Sequence, residues 1–172
     1  MNRAEKIITI AKSYVGIKEK TGNKGFWNAA FEKLMIAVGW YVGAAWCAFF
    51  TKNAYLQAYS DNKAFVAVIK NCFTGGAVDT FNRVKANGTF ATGTIPKNGA
   101  IVVFRMGDTS RGHHGIIVNS AYATNTMQTV EGNTNSAGSR EGDTVAIKLR
   151  TITRDFKADG LNVVGYIYPF EV

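Results

Sequence analysis

The stretch Pro96-Lys97-Asn98-Gly99-Ala100-Ile101-Val102-Val103-Phe104 marks the point at which the pattern of apolar residues changes. Before this stretch, apolar residues recur at the three- and four-residue steps that are typical of a helix. After it, short β-rich runs are separated by turns that contain glycine or asparagine. Helices followed by strands predict an α+β domain, in which N-terminal helices pack on a mainly antiparallel sheet of about five to six strands.

Four helices are predicted on the N-terminal side of Pro96. The first has the capping-box pattern, with Asn2 before the helix and Glu5 three residues later. The others are recognised by an apolar stripe, which ends at glycine in the second and at Asn-Gly in the fourth. The predicted helices are Arg3–Val15, Phe26–Val38, one that begins at about Trp46 and carries Phe50, Ala54 and Ala58 on its buried side, and Gly76–Asn87.

Five strands are predicted on the C-terminal side, where apolar residues alternate with polar ones. A turn at Arg140-Glu141-Gly142-Asp143 separates the third strand from the fourth. The predicted strands are Ala100–Arg105, His114–Asn119, Met127–Glu131, Thr144–Arg150 and Val163–Tyr168. We find no repeats, and we expect residues 1–172 to form one domain.

The composition is that of a folded, basic domain. Hydrophobic residues make up 47% of the 172 positions and charged residues 19%, which excludes a disordered chain. The net charge is +8, and residues 1–70 hold ten basic side chains against four acidic ones. This excess favours a polyanionic partner, such as a bacterial wall polymer, nucleic acid or acidic lipid. A merely solvated basic surface is an equal alternative, because the lysines are dispersed.

The sequence also bears on location and redox state. No stretch reaches the eighteen or so apolar residues of a membrane span, and the first residues lead into an amphipathic segment, not a signal peptide. We therefore expect synthesis in a host cytoplasm, without a signal peptide and without membrane insertion. Cys47 and Cys72 are expected to be free thiols, since a two-cysteine chain of this kind is a poor disulfide scaffold.

The residues that point to chemistry are a thiol, an imidazole and a carboxylate or amide, in that order along the chain. Cys47 follows the small residues of Gly43-Ala44-Ala45 and lies where the third helix starts. Unpaired N–H groups at a helix start lower a thiol pKa and make the thiolate a nucleophile. The alternative is a core cysteine, because cysteine is among the most buried residues.

The only histidines, His113 and His114, stand at the beginning of a predicted strand. Alternation puts His113 on the same sheet face as Gly115, and His114 on the opposite face. Because Gly115 leaves room beside His113 for another element or for a substrate, His113 is the expected base. His114 is then a hydrogen-bonded or partly exposed neighbour, although a one-residue slip in register would exchange the two roles.

Glu131 and Asn133 differ by two positions and share a strand face if the strand extends that far. Either residue can accept the Nδ1 proton of His113 and so fix the orientation of the ring. A surface carboxylate and a turn asparagine are the structural alternatives. No zinc, calcium or nucleotide-binding pattern is present in the sequence, so no metal or cofactor is expected.

Taken together, four motifs in this order resemble the CHAP family of cysteine, histidine-dependent amidohydrolases and peptidases, within the papain-like and NlpC-type superfamily. The motifs are Trp46-Cys47-Ala48-Phe49, Pro96–Phe104, His113–Val118 and Glu131-Gly132-Asn133. The leader Ala11–Glu19 is similar to the opening helix of that family, so the resemblance covers nearly the whole chain. Two positions depart from the pattern: Ala100 stands where an acid is common, and His114 where an apolar residue or threonine is usual.

The resemblance implies a papain-like α+β fold and cleavage of an amide bond in bacterial peptidoglycan, as an N-acetylmuramoyl-L-alanine amidase or an endopeptidase. Cys47 matches the nucleophile, which forms a thioester acyl-enzyme; His113 matches the base; Glu131 and Asn133 match the orienting pair. The expected protein is a monomeric phage lysin or virion-associated enzyme that reaches the wall by release, virion delivery or injection, and it has no nucleic-acid partner. A non-catalytic wall-binding or particle-assembly protein and an injected antibacterial effector are the alternatives.

Three aromatic residues near the thiol are candidates for substrate binding. Trp46, Trp40 and Tyr41 could line a groove for the glycan or the stem peptide of the wall. Core packing is the alternative role for these side chains.

Overall fold

The computed structural model describes residues 1–134 and 142–171 of the chain. Within these residues, five α-helices precede six β-strands that form one antiparallel sheet, which confirms the predicted α+β class. Part of the turn predicted at residues 140–143 lies outside the described residues. No described helix combines the length and the apolar character needed to cross a membrane.

The helices follow the sequence pattern closely at their starts. Asn2 forms the predicted capping box, in which its Oδ1 accepts from the Glu5 N–H at 2.8 Å and its N–H donates to the Glu5 carboxylate at 3.0 Å. Asn28 starts the second helix in the same way, because its Oδ1 accepts from the Phe31 N–H at 2.9 Å. The helices are α1 Arg3–Ser13, α2 Ala29–Ala37, α3 Cys47–Ala58, α4 Lys63–Cys72 and α5 Ala77–Asn87.

Helix α4 is the one that the sequence analysis missed. Its side chains run Lys-Ala-Phe-Val-Ala-Val-Ile-Lys-Asn-Cys, and the unbroken apolar run hides the helical period. The start is nevertheless signalled by Asn62, whose Oδ1 accepts from the Ala64 and Phe65 N–H groups at 3.2 and 3.3 Å.

The strands pair in the spatial order β1-β6-β2-β3-β4-β5, and every pairing is antiparallel. The two-residue strand β1 was not predicted, and β3 begins two residues earlier than expected, so that it includes both histidines. The strands are β1 Thr92–Gly93, β2 Ile101–Met106, β3 Gly112–Ala121, β4 Thr126–Thr134, β5 Thr144–Thr151 and β6 Leu161–Ile167.

The two faces of the sheet carry separate apolar clusters. Ile116 and Val118 of β3 join the large core beneath the helices, whereas Ile117 belongs to a smaller cluster on the far face. Helix α3 packs against β3 and β4 on the helix face. This arrangement confirms the predicted alternation and places His113 and His114 on opposite faces of the sheet.

Gly132 of β4 allows α3, and Trp46 directly before it, to approach this strand closely. A Cβ at Gly132 would lie 2.6 Å from a Trp46 ring carbon and 2.8 Å from the Phe50 Cβ. Both neighbours are fully buried, so neither can move away without disturbing the core.

We expect Gly132→Ala to lower the free energy of unfolding by about 1–3 kcal/mol, because the added methyl overpacks this contact. Urea unfolding followed by circular dichroism measures the change. Gly76→Ala is the control: a Cβ there would meet its nearest neighbour at an ordinary 3.4 Å, so the expected loss is limited to the about 1 kcal/mol or less that alanine costs at the N-cap of α5. Equal losses in the two variants would contradict the packing argument.

Candidate active site

Cys47 is the first residue of α3, as the sequence predicted. No side chain caps this helix start, so the backbone N–H groups of its first turn remain available near the thiol. Trp46 anchors the turn before the helix, because its indole Nε1 donates to the Glu19 carboxylate in the protein interior. The Cys47 side chain is buried, with 5% exposure.

The structure places His113 directly against Glu131. The His113 Nε2 and a Glu131 carboxylate oxygen are 2.8 Å apart, and both residues are completely buried. The sequence analysis expected the Nδ1 proton to reach the orienting group, and this detail is wrong. Because Nε2 is engaged by the carboxylate, Nδ1 is the ring nitrogen left for the thiol.

The thiol and the imidazole are the candidate reactive pair, and each is a cause of the other's pKa shift. Their contact does not meet the geometry of a standard hydrogen bond, since Nδ1 has no such partner among the described residues. Their charges nevertheless shift each other's pKa. Burial alone would raise the pKa of Cys47, but the His113 imidazolium and the backbone N–H groups of His114 and Ala48 bring it below its ordinary value.

The pKa of His113 moves in the opposite direction. Burial alone would lower it, but the Cys47 thiolate and the Glu131 carboxylate raise it to about 9. A lowered thiol pKa and a raised imidazole pKa favour a thiolate–imidazolium pair at neutral pH. This protonation state is the one that a cysteine hydrolase needs for attack and for protonation of a leaving group.

Two residues that the sequence analysis missed hold the Glu131 carboxylate. Arg150 Nε donates to one carboxylate oxygen at 2.7 Å and its Nη2 donates to the other, while the Thr129 hydroxyl donates at 2.6 Å. Burial alone would raise the pKa of Glu131, but Arg150 and His113 hold it far below its usual range. One signal in the sequence could have found this contact, because the two predicted strands that carry Glu131 and Arg150 follow one another along the chain.

Gly115 explains how the carboxylate fits beside the imidazole. A Cβ at this position would lie 2.9 Å from the Glu131 Cγ and 3.3 Å from its Oε1. The room predicted next to His113 is therefore occupied by the carboxylate of a neighbouring strand.

Asn133 is not part of the hydrogen-bonded group. It makes no hydrogen bond to His113, and it lines a cavity of about 400 Å³ together with Asn23 and Asp143. Its backbone is left-handed, with φ 54°, at the point where the β4–β5 register shifts. Of the two candidates for the orienting group, Glu131 alone contacts the imidazole.

His114 has a structural environment on the helix face. Its Nδ1 lies 3.0 Å from the Thr51 hydroxyl of α3, and its Nε2 lies 3.0 Å from the Ala77 carbonyl of α5. Burial lowers its pKa to about 3, and the charge of His113 adds to that effect. A neutral His114 therefore joins α3 and α5 to β3, and His113 remains the candidate base.

The three aromatic candidates for substrate binding differ in exposure. Trp46 and Trp40 are buried at 0% and 3% exposure, where they pack around the Phe26 ring, so neither lines an accessible groove. This corrects the expectation for those two residues. Tyr41 is 68% exposed and remains available to a ligand.

Comparisons with protein families, curated proteins and solved structures found no match for this chain.

Both cysteines are free, as expected. Within residues 1–134 and 142–171, no group of three or more His, Cys, Asp or Glu side chains is arranged to hold a metal ion. The case for an active site therefore rests on the geometry of Cys47, His113, Glu131 and Arg150.

The charge coupling predicts how Cys47 reacts with iodoacetamide as the pH changes. In a Cys72→Ala protein, we expect the apparent pKa of alkylation to lie below the ordinary value for a thiol. Adding His113→Ala should move it upward, because burial then acts on the thiol without the opposing imidazolium. Mass spectrometry of the alkylated peptide gives the rate at each pH, and an unchanged pH profile would refute the coupling.

We expect Arg150→Gln to lower the free energy of unfolding at pH 7 by about 3 kcal/mol, because the buried Glu131 carboxylate loses its partner. A depressed carboxyl pKa stabilises the fold above the ordinary value of 4.5, and this stabilisation is lost as the pH falls. The free energies of unfolding of Arg150→Gln and the wild type should therefore become more similar in strongly acidic solution. Urea titrations at several pH values measure it.

Arg83→Gln is the control for that experiment. Arg83 pairs with Asp79 at 2.9 Å, but both side chains are more than half exposed. A much smaller change is expected, since solvent screens an exposed pair. If both arginine substitutions lowered the free energy of unfolding equally, burial of the Arg150–Glu131 pair would contribute nothing to stability.

Proposed function

We propose that this protein is a cysteine amidohydrolase or peptidase that cleaves an amide bond of bacterial peptidoglycan. The observation that carries the proposal is the buried chain of contacts in which Arg150 holds Glu131, Glu131 holds His113, and His113 is charge-coupled to Cys47. A thiol with a lowered pKa beside an oriented imidazole is the arrangement required for nucleophilic attack on an acyl carbon.

The reaction follows from the roles of these groups. The Cys47 thiolate attacks the scissile carbonyl, and the His113 imidazolium gives its proton to the leaving amine as the C–N bond breaks. The resulting thioester is hydrolysed by a water molecule, whose proton His113 accepts. The oxyanion of both steps would accept a hydrogen bond from the Cys47 backbone N–H at the helix start.

Glu131 keeps the imidazole in one orientation and stabilises its charged form. Its own charge is secured by Arg150 and Thr129, so the carboxylate stays ionised when His113 releases its proton. We assign Glu131 the orienting role, and Arg150 the role of a positioning residue that acts through Glu131.

The choice of peptidoglycan as substrate rests on the CHAP-like order of motifs and on the basic charge. Wall polymers are polyanions, and a net charge of +8 favours association with them. Tyr41, six positions before Cys47 in the sequence, is exposed and is a candidate for contact with a sugar ring or a stem peptide. Delivery from a phage, in a virion or by injection fits the same activity.

One observation favours the second candidate, a non-catalytic protein that binds the wall or assists particle assembly. Cys47 is 5% exposed and His113 is fully buried, so a substrate reaches the sulfur only if neighbouring residues move. A domain in which Cys47 and His113 serve only to stabilise the fold would bury both residues in the same way. The two candidates differ in whether bonds are cut.

The deciding experiment compares the native protein with Cys47→Ala on purified sacculi and walls from several bacteria. We expect the native protein to release soluble fragments and the variant to fall to background, a loss of at least about a hundredfold. Mass spectrometry of the released muropeptides then identifies the cleaved bond, since an amidase and an endopeptidase leave different termini.

Cys72→Ala is the matched control, because Cys72 is a second buried thiol on a different helix. It should retain full release. Equal release by native protein and Cys47→Ala would refute hydrolysis at this thiol. Wall binding that survives in Cys47→Ala, with no fragments from the native protein, would establish the second candidate.

A further inference from the structure

The far face of the sheet holds a cavity of about 760 Å³, a size typical of small-molecule sites. It lies between strands β2 and β6, the end of β5, and the segment from Ile152 to Gly160 that follows β5. None of Cys47, His113 or Glu131 is among the residues that line it. The cavity therefore does not open onto any of these three residues, although Arg150, which holds Glu131, is part of its lining.

The wall made by the segment after β5 is held in place by hydrogen bonds. The Asn162 side chain accepts from the Lys157 N–H at 2.9 Å and donates to the Lys157 carbonyl at 2.8 Å. The Gly107 N–H donates to the Gly160 carbonyl at 3.0 Å, and Arg154 donates to the Leu161 carbonyl. These bonds tie the wall to β6 and to the end of β2, so the cavity is part of the fold.

The lining combines an apolar floor with positive charge. Phe104, Ile152, Val163 and Tyr166 form much of the floor, and Phe156 of the surrounding segment is 58% exposed. The ionised side chains are three cations and one acid: Arg150, Arg154, Lys157 and Asp159. Because Arg150 is already paired with Glu131, the remaining balance is one positive charge beside an aromatic surface, which is complementary to an organic anion with a flat apolar body.

Two lining residues also touch the reactive group from behind. The Phe104 ring is stacked against the His113 ring with centroids 6.3 Å apart, and the Arg150 guanidinium lies 5.6 Å from the Phe104 centroid. Arg150 also donates to the Glu131 carboxylate that holds His113. A ligand in the cavity would therefore act on the residues that surround the imidazole.

We propose that this cavity binds a small organic anion with an aromatic or similarly flat apolar body, and that Arg150 transmits its binding to His113. The anion pairs with Arg154 and Lys157 and shares the Arg150 guanidinium with Glu131. The proposal goes beyond the hydrolytic function and does not depend on it, because it concerns a second site.

The sign of the effect on His113 follows from electrostatics. The charged groups facing the imidazole are Glu131, Cys47 and, one step behind, Arg150. A bound anion adds negative charge and also reduces the net positive influence of Arg150. Both changes stabilise the imidazolium, so ligand binding raises the pKa of His113.

Nuclear magnetic resonance gives a direct readout, because the chain contains only two histidines. The Cys47→Ala protein is used, since loss of the thiolate lowers the starting pKa of His113 into an accessible range. Naphthalene-2-sulfonate is the probe, with uncharged naphthalene-2-sulfonamide and inorganic sulfate as comparisons. We expect the sulfonate to bind at least about tenfold more tightly than either comparison and to raise the His113 pKa, while the His114 signal does not move.

Variants test the location of binding. Arg154→Gln with Lys157→Gln should weaken sulfonate binding by about tenfold or more, since both cations lie on the cavity wall. Lys12→Gln with Lys85→Gln removes the same charge from helices α1 and α5 and should leave affinity unchanged. Equal binding of all three probes, full affinity in the cavity double variant, or a His113 pKa that does not respond would each overturn the proposal, whatever the outcome of the sacculus assay.

Discussion

The ion pair between Arg150 and Glu131 is the interaction on which the candidate site depends. A fully buried carboxylate is unfavourable without compensation, and the arginine and Thr129 provide it by donating to both carboxylate oxygens. The charge secured in this way orients His113 and raises its pKa, and the imidazolium then lowers the pKa of Cys47. The lowered pKa of the thiol therefore depends on residues of strands β3, β4 and β5 as well as on the helix that carries Cys47.

The position of the sheet between two apolar clusters explains why neighbouring histidines differ so much. His114 faces the helices, where two hydrogen bonds and deep burial keep it neutral. His113 faces the other side, where a carboxylate and a thiol surround it. Strand alternation alone thus separates a structural residue from a candidate base, without any change in residue type.

Much of this arrangement could be predicted from the sequence. Apolar periodicity located four of the helices and five of the strands, and strand alternation separated His113 from His114. The order of Cys47, His113 and Glu131 was sufficient to select a group that the fold brings together. These features depend on local patterns, which a single sequence records.

Features that depend on distant contacts could not be predicted. The role of Arg150 depends on its side chain reaching the neighbouring strand β4, and the residues around position 150 do not identify Glu131 as its partner. The burial of Trp40 and Trp46 follows from aromatic packing with α2 and its leading loop. The ring nitrogen that meets Glu131 depends on the rotamer of His113, which the spacing of residues does not determine. Helix α4 was hidden because its apolar residues are contiguous.

Gly115 has a consequence for how this chain can change over evolutionary time. Any larger residue there would push the Glu131 side chain away from the imidazole, so the identity of one position limits the other. A lineage that acquires alanine at 115 would need a shorter acid at 131 to keep a counterion beside the ring. The two sites are therefore expected to evolve as a linked pair, with each substitution harmful until its companion appears.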